Sequence, residues 1–482
     1  MSQNLQTIVQ NLISDEIDVP SITVNGLSIN SKNTKAGDLF FAIPGTVSDG
    51  HDYINQSIDN GAVAVITNGR DLGQLPVPQI KVANPRRAAS FIAAEFYNHP
   101  SKELTIIGIT GTNGKTTTAS IITSILRQAG FKTAQMGTLG LLAEGFPKDK
   151  NLTTENPISL HKRFSDLKKA GFTHVVMEVS SHALQQYRVT DVDFNYAIFT
   201  NLTPEHLDYH HTMEEYSYAK SKLFKGLALD ATAIINMDDQ FGEIIKSGCT
   251  CPVLSFSQSS KEDAHYSEYD ISVEGIKATI GIGEIQYQIK SYLTGKFNLE
   301  NILASVALAH VMGVEEKFIE DGISNCKHIP GRMEVFTLKN GGKAIIDYAH
   351  TPDAYEKTIS TIRELMVSDD NLTIVFGAGG ERDRTKRPLM GAIVDQYADM
   401  SYVVPDNPRS EKLDDINNQI VAGYTSDNYK IYNDRGEGLK DALKNCQIND
   451  VIVVLGKGRE ESQEIDGVKQ FYSDFEIIEE FL

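Results

Sequence analysis

The sequence predicts an α/β fold in three domains, on three observations. At 482 residues the chain is too long for one hydrophobic core. Short runs rich in Val and Ile recur along most of it, separated by longer stretches of helical periodicity, which is the rhythm of parallel sheets covered by helices. One of these runs, Leu104-Thr105-Ile106-Ile107-Gly108-Ile109, leads into a glycine-rich turn and a helix start, which marks a central domain of P-loop type.

The first domain is expected over residues 1–100. Asp38-Leu39-Phe40-Phe41-Ala42-Ile43 and Ala62-Val63-Ala64-Val65-Ile66 read as strands between turn residues and helical stretches, giving a small α/β unit. Tyr97-Asn98-His99-Pro100-Ser101 closes it, because proline and the residue before it disfavour helix continuation. The second domain, 101–330, alternates helical stretches with Thr173-His174-Val175-Val176-Met177-Glu178, Tyr196-Ala197-Ile198-Phe199-Thr200 and Ala233-Ile234-Ile235-Asn236. That pattern argues for a parallel sheet with ligands at the carboxyl ends of its strands. The third, 331–482, repeats the rhythm in runs ending at Asp347, Phe376, Val404 and Leu455, as a second doubly wound, Rossmann-like domain would.

Composition is that of a folded protein, 41% hydrophobic and 23% charged. A net charge of −19 repels nucleic acid and anionic membranes, so neither is an expected partner. A nucleotide site survives that charge, since helix N-termini and lysines act at short range while distant charge is screened within about 8 Å. Met1-Ser2-Gln3-Asn4-Leu5 has no signal-peptide character, and no apolar run approaches the ~20 residues that span a bilayer, so the expected location is the cytoplasm. Four cysteines make no disulfide framework, and Cys249-Thr250-Cys251 lacks zinc-site spacing; reduced thiols are expected.

Gly111-Thr112-Asn113-Gly114-Lys115-Thr116-Thr117 carries the strongest chemistry. Its glycines let backbone N–H groups turn toward phosphate oxygens at a helix N-terminus, with Lys115 placed to neutralise the β/γ-phosphates and Thr116 to face magnesium. The two glycines enclose two residues rather than the usual four, which points to a specialised branch of nucleotide enzymes. Glu178 and His206 follow strand ends and suit a divalent cation otherwise held by phosphate and water. Singly, each fits a solvated loop residue; after a phosphate loop, in this order, they fit a metal site. Lys220 lies in the helical stretch Glu214–Phe224, where spacing alone marks only a solvated charge.

Gly377-Ala378-Gly379-Gly380-Glu381-Arg382-Asp383-Arg384-Thr385-Lys386-Arg387-Pro388 sets a glycine turn and several cations after a strand, which suits an anion and also fits a solvated charge run. In Asp406-Asn407-Pro408-Arg409-Ser410-Glu411, arginine's fork matches a carboxylate and the Asp/Asn pair accepts from an ammonium, so the segment suits a zwitterionic amino acid. A plain proline turn fits that hexapeptide equally well.

In its ordered motifs the chain resembles the Mur ligases, ATP-dependent amide-forming enzymes of peptidoglycan precursor synthesis. The motifs are GTNGKTTT (Gly111 to Thr118), TTENP (Thr153 to Pro157), MEVSSHAL (Met177 to Leu184), TNLTPEHLDYH (Thr200 to His210), YAKSKLF (Tyr218 to Phe224), LTGKFNLEN (Leu293 to Asn301), PGRME (Pro330 to Glu334), DYAHTPD (Asp347 to Asp353), GAGGERDRTKRP (Gly377 to Pro388) and GKGRE (Gly456 to Glu460). The resemblance implies an N-terminal domain for a UDP-substrate, a central ATPase domain and a C-terminal amino-acid domain. Asp406-Asn407-Pro408-Arg409 is typical of members that add meso-diaminopimelate, rather than lysine, to UDP-N-acetylmuramoyl-L-alanyl-D-glutamate. Arg409 would meet the extra carboxylate, whereas lysine would leave a guanidinium unpaired.

The same resemblance implies roles residue by residue. Gly111 to Thr117, Asn298, Asn301, Arg332 and Asp347 would bind ATP, and Thr116, Glu178 and His206 would hold magnesium, with two ions expected. Lys220 matches the family lysine carbamylated by CO2, which converts a cation of pKa about 10.4 into an anion able to bind the second magnesium. Lys115, Lys220, His206 and Glu178 would be the catalytic set. Ser31, Thr153, Thr154, Ser180, Gln186 and Arg188 would contact the UDP-muramoyl-dipeptide, and Arg382, Asp406, Asn407, Arg409, Gly456 and Glu460 the incoming amino acid.

Three positions depart from the family pattern: Asn30-Ser31-Lys32 for a common Asp-Ser-Arg, Glu205 for an aspartate, and Arg459 for a histidine beside the expected amino-acid site. The rival readings are the same reaction with lysine or another diamino acid, a folylpolyglutamate-type ligase, and a nucleotide-binding regulator without amide-forming activity.

Overall fold

Side-chain parity along the strands decides how the sheets are covered. In a computed structural model that describes residues 2–12, 19–45, 48–70, 72–148, 152–258, 262–272, 275–366 and 370–482, alternate strand residues enter separate cores. Met1 of the N-terminal stretch lies outside the described residues. The chain divides into two compact units: Met1–Gly111, Leu126–Thr200 and Thr212–Ser255 in the first, and Thr112–Ile125, Asn201–His211 and Phe256–Leu482 in the second.

Besides a short antiparallel pairing of Gln3–Asn4 with Thr23–Val24, the first unit holds two larger sheets among the described residues. One is a four-stranded parallel sheet of β1 (Gly26–Ser28), β2 (Asp38–Phe41), β3 (Ala64–Thr67) and β4 (Gln79–Lys81) in that order. Leu39, Phe41, Ala64, Ile66 and Ile80 face one core with helix Pro85–Phe96, and Phe40, Ala42 and Val65 face another. That helix starts at Asn84, whose side chain accepts from the N–H groups of Arg86 and Arg87, with Pro85 at its first position.

The other sheet of the first unit contains β5 (Thr105–Thr110), β6 (Thr133–Gly137), β7 (Gly140–Leu142), β8 (His174–Glu178), β9 (Tyr196–Phe199) and β10 (Thr232–Asn236), in the order β10-β9-β5-β8-β6-β7. Only the β6–β7 hairpin is antiparallel among these pairings. Glu178 pairs with Ile109, Phe199 with both Thr110 and Ile235, and Met177 with Met136, so five strands release their chains at one edge.

In the second unit β11 (Ala264–Ser272), β12 (Gly275–Ile282) and β13 (Ile285–Ser291) form an antiparallel meander. The apolar-run criterion misses these strands. β13 alternates exposed and buried positions, as a strand with one wet face does, so its sequence contains no continuous apolar run.

The C-terminal sheet comprises β14 (Glu334–Thr337), β15 (Lys343–Asp347), β16 (Leu372–Phe376), β17 (Met400–Val403), β18 (Tyr429–Ile431) and β19 (Val451–Leu455), ordered β14-β15-β19-β16-β17-β18. Only β14 runs antiparallel to its neighbour. Ile345, Ile374, Val403 and Val453 face one helix layer, while Ile346, Val375, Tyr402 and Val454 face the other, which makes the sheet doubly wound. Asp347 pairs with Leu455 and Phe376 with Val403, so the segments after these four strands emerge together. A hairpin of β20 (Ser462–Ile465) and β21 (Val468–Phe471) follows.

Candidate functional site

The phosphate-loop segment that falls in the second unit is tied down from its backbone. Thr112 N–H donates to Asn201 O at 2.8 Å, and Asn113 N–H to Asn201 Oδ1 at 2.9 Å. Thr203 N–H donates to Thr112 Oγ1 at 3.0 Å. Helix Lys115–Gln128 then begins, with Thr118 N–H reaching Gly114 O. Gly114 has φ +85°, and a Cβ there would sit 2.3 Å from Asn301 Oδ1, so both backbone and space require glycine. Lys115 Nζ donates to Thr112 O at 2.9 Å, folded over its own loop.

Asn298 and Asn301 lie beneath this turn. Asn298 donates to Thr294 O, Asn301 Nδ2 to Asn298 Oδ1, and Thr118 Oγ1 to Asn301 Oδ1, with both asparagines buried. Their amides brace the loop from below. Arg332 is closer to the expected chemistry: its Nη2 lies 3.4 Å from Thr116 Oγ1 and its guanidinium stacks 4.8 Å from the Tyr348 ring centroid. Asp347 accepts from Met333 N–H at 2.7 Å and Ala349 N–H at 2.8 Å, and burial raises its carboxyl against the pull of Arg332 and those two N–H groups.

His206 takes the left-handed conformation at φ +56° and starts the short helix Leu207–His210. Beside it, Glu205 Oε1 is 3.7 Å from His206 Nε2 and 3.3 Å from His350 Nε2. Burial alone would raise the Glu205 carboxyl. The hydrogen bond and charge of His350, with His206 and Lys115 nearby, instead hold it well below the usual carboxylate range. The motif reading assigned neither Glu205 nor His350 a role, although both sit inside quoted motifs.

The first unit contains a second connected cluster. Glu178 Oε1 accepts from Thr138 N–H at 2.9 Å and Oε2 from Thr138 Oγ1 at 3.0 Å. A Cβ on Gly137 would meet Glu178 Oε1 at 2.2 Å, so this carboxylate needs the glycine beside it. Thr154 Oγ1 donates to Glu178 O, Ser180 N–H donates to Thr154 Oγ1, and Arg188 reaches Thr154 O at 2.8 Å and Gln186 Oε1 at 2.7 Å. Thr153 Oγ1 is 3.4 Å from Thr138 Oγ1. Thus Thr153, Thr154, Ser180, Gln186 and Arg188 share one network with Glu178, and Thr138 joins it unanticipated. Ser31 belongs to the four-stranded sheet region, where it donates to Gln56 Oε1 at 2.7 Å. Asn30 caps the turn there by accepting from Lys32 N–H, a task that asparagine and aspartate do equally well.

Lys220, also in the first unit, projects from helix Met213–Lys225 and is 1% exposed. Its Nζ donates to Gly111 O at 2.8 Å and lies 4.6 Å from the Tyr216 ring centroid. A lysine this deeply buried is not the solvated charge that spacing alone suggests.

At the carboxyl edge of the C-terminal sheet, Lys457 is fully buried. Its Nζ meets Asn407 Oδ1 at 3.1 Å, Glu460 Oε2 at 3.1 Å and Asp406 Oδ1 at 3.7 Å, while Tyr348 Oη donates to Glu460 Oε1. Gly456, φ +104°, lets Asp406 approach: a Cβ would fall 2.7 Å from Asp406 Oδ2. Arg409 is strained into φ +53° and held by backbone bonds to β20, Arg409 N–H to Glu464 O and Asp466 N–H to Arg409 O. Arg409 Nη1 and the Arg382 side chain both flank Gly379. The cations are thus near one glycine turn, with Asp406, Asn407 and Glu460 gathered round a lysine that the motif reading left without a role.

Buried Arg387 shapes that turn by binding Glu411, Gln419 and Gly379 O, and its hydrogen bonds bring the Glu411 carboxyl down to about 2. Among the described residues no three His, Cys, Asp or Glu side chains converge as a metal cage. Magnesium fits such an arrangement, since it keeps several waters and binds through one or two protein oxygens plus phosphates. Glu178, a carboxylate oriented by Thr138, is a donor of that kind.

In the second unit, a glycine turn at a helix start and a carboxyl-edge cluster of Asp, Asn, Arg and Glu are features that a nucleotide-dependent ligase requires. Comparison with known proteins agrees. Residues 23–97 match the model of the Mur ligase family catalytic domain, 109–309 the Mur ligase middle domain, and 331–458 the Mur ligase glutamate ligase domain. The chain belongs to the Mur ligase family. It is similar to the UDP-N-acetylmuramoyl-L-alanyl-D-glutamate–2,6-diaminopimelate ligase of Syntrophomonas wolfei, 36% identical with 99% of each chain covered. The ligase of the same name from Aquifex aeolicus is 39% identical over 95% of this chain and 94% of its own. A solved structure titled as such a ligase superposes with a TM-score of 0.70 at 28% identity, covering 100% of this chain and 98% of the other. No helix among the described residues is long and apolar enough to cross a membrane.

Proposed function

We propose that this protein joins meso-2,6-diaminopimelate to UDP-N-acetylmuramoyl-L-alanyl-D-glutamate at the expense of ATP. The observation that carries the reading is Arg409, strained at φ +53° in the same loop as Asp406 and Asn407, whose side-chain oxygens gather with Glu460 around Lys457. A fixed guanidinium next to acceptors for an ammonium is what an amino acid with a second carboxylate requires. The names of the relatives from Syntrophomonas and Aquifex support the same substrate pair.

In this reading residues 1–100 hold the uridine end, 101–330 bind ATP and 331–482 bind the amino acid. The glutamate γ-carboxylate attacks the ATP γ-phosphorus and ADP leaves, giving an acyl phosphate. The amine of diaminopimelate then attacks the acyl carbon, and phosphate departs through a tetrahedral intermediate. Lys115 and the N–H groups of the phosphate loop offset the charge that gathers on the transferring group. Ser31, Thr153, Thr154, Ser180, Gln186 and Arg188 contact the UDP-muramoyl-dipeptide, Asn298, Asn301, Arg332 and Asp347 the nucleotide, and Arg382, Asp406, Asn407, Arg409, Gly456 and Glu460 the amino acid. Magnesium would supply charge neutralisation when bound; Glu178 and a carbamylated Lys220 in the first unit and Thr116 in the second would offer oxygens to it, and His206 in the second a ring nitrogen. Carbamylation suits a lysine fixed against Gly111 O and shielded from water.

An amino-acid panel tests the specificity. With UDP-muramoyl-dipeptide and ATP present, tripeptide product is expected from meso-diaminopimelate and not from L-lysine. Equal product from lysine overturns the assignment.

A further inference from the structure

We infer that Tyr348 is a positioning residue that serves two subsites, its ring holding Arg332 for the nucleotide and its hydroxyl holding Glu460 for the incoming amino acid; the inference rests on the roles given to those two residues above. The strands explain why one side chain meets both. β15 ends at Asp347 and β19 at Leu455, and these two residues pair, so Tyr348 leaves the sheet beside the turn Gly456–Glu460. Tyr348 Oη donates to Glu460 Oε1 at 3.3 Å, and the Arg332 guanidinium lies 4.8 Å from the centroid of the Tyr348 ring. The turn also packs on that ring. At Gly458, φ +52°, a Cβ would fall 3.0 Å from Tyr348 Cδ2, so glycine is what lets the backbone just before Glu460 come this close.

The donors on each carboxylate oxygen show what the hydroxyl does. Glu460 Oε2 accepts from Lys457 Nζ at 3.1 Å and from Asn407 Nδ2 at 3.4 Å, whereas Oε1 accepts from Tyr348 Oη. Lys457 fixes where the carboxylate lies. Tyr348 fixes its rotation, because the last torsion of a glutamate is broad and is set only when both oxygens have donors. Burial, with the Glu460 charge second, pushes the Tyr348 hydroxyl above its ordinary range, so it keeps its proton and donates. The ring has a different task. Arg332 Nη2 is 3.4 Å from Thr116 Oγ1 in the phosphate-loop helix, and a cation held over an aromatic face keeps its place without spending its N–H donors. Ring and hydroxyl thus have separable effects, one on each substrate.

Two substitutions separate these effects. Tyr348→Phe keeps the ring and removes the donor, and Tyr348→Leu removes both. KM is measured for each substrate with the others saturating, using the amino acid that the intact protein converts to product, so a wrong choice of diaminopimelate shows in the amino-acid panel and not here. Tyr348→Phe is expected to raise KM for the amino acid about fivefold or more and to leave KM for ATP within about twofold of the intact protein. Tyr348→Leu is expected to raise KM for ATP as well, by roughly threefold or more. An unchanged amino-acid KM in Tyr348→Phe, or a parallel rise of both constants in that variant, overturns the inference, as does an unchanged KM for ATP in Tyr348→Leu. A side chain that only filled space would give the first of these results, because phenylalanine fills the same space.

Discussion

Arg459 and Glu334 form a two-pronged ion pair, Nη2 to Oε1 at 2.7 Å and Nε to Oε2 at 2.8 Å, with the guanidinium 3.4 Å above the Phe475 ring centroid. Glu334 Oε2 also accepts from Gly331 N–H, and a Cβ on Gly331 would meet Arg459 N at 2.7 Å. The arginine that replaces a family histidine is thus engaged with the segment 331–334 and with an aromatic face. Because Glu334 is buried, removing one partner strands the other. Arg459→Ala and Glu334→Ala should each lower unfolding free energy by about 2–3 kcal/mol, and the double variant should lose less than the sum. Urea titration reads this cycle; additive losses contradict the pairing.

Gly114 and Asn301 give the second prediction. Gly114→Ala must force a left-handed φ on alanine and push Asn301 Oδ1 from 2.3 Å, so the loop opens. Strain of about 1–3 kcal/mol corresponds to a loss of roughly 5–150-fold in kcat/KM for ATP. ADP formation at limiting ATP measures it, and wild-type kinetics would show that the glycine is dispensable.

His161 gives the third. It is fully buried, neither ring nitrogen has a hydrogen-bond partner among the described residues, and burial, with the His99 charge secondary, lowers its pKa to about 3. The unfolded state, with a pKa near 6.5, therefore binds the proton first. Stability contributed by the neutral ring is present above about pH 6.5 and falls toward pH 3 by up to ~1.4 kcal/mol per unit. His161→Leu should flatten this part of the curve. Identical pH profiles for the two proteins would contradict it.

Much of the architecture could be read from apolar runs. Lys343–Asp347, Leu372–Phe376 and Val451–Leu455 are strands with those bounds, and the strand, turn and helix about Gly111–Lys115 stand where the glycines placed them. Buried parallel strands are apolar on both faces, so they declare themselves. The meander from Ala264 to Ser291 did not, because a half-wet strand mixes polar and apolar residues. Within the candidate site, Lys457, Glu205 and His350 gained meaning only from burial and neighbours that lie far off in sequence. A motif shows that a lysine is there, not that two carboxylates enclose it.

Lys220 gives the fourth prediction. If a carbamate at Nζ supplies an anion, Lys220→Ala should lose at least ~100-fold in kcat, with partial recovery on adding a short-chain carboxylate. Mass spectrometry of the intact protein in bicarbonate should show an added CO2 that disappears in the variant. Full activity in Lys220→Ala would remove the residue from the mechanism.

Isotope transfer tests the central chemistry most directly. With both γ-carboxylate oxygens of the dipeptide glutamate labelled as 18O, attack on ATP and release by the amine must leave one labelled oxygen in each inorganic phosphate formed. The account predicts singly labelled phosphate in step with tripeptide product. Product accompanied by unlabelled phosphate would contradict it.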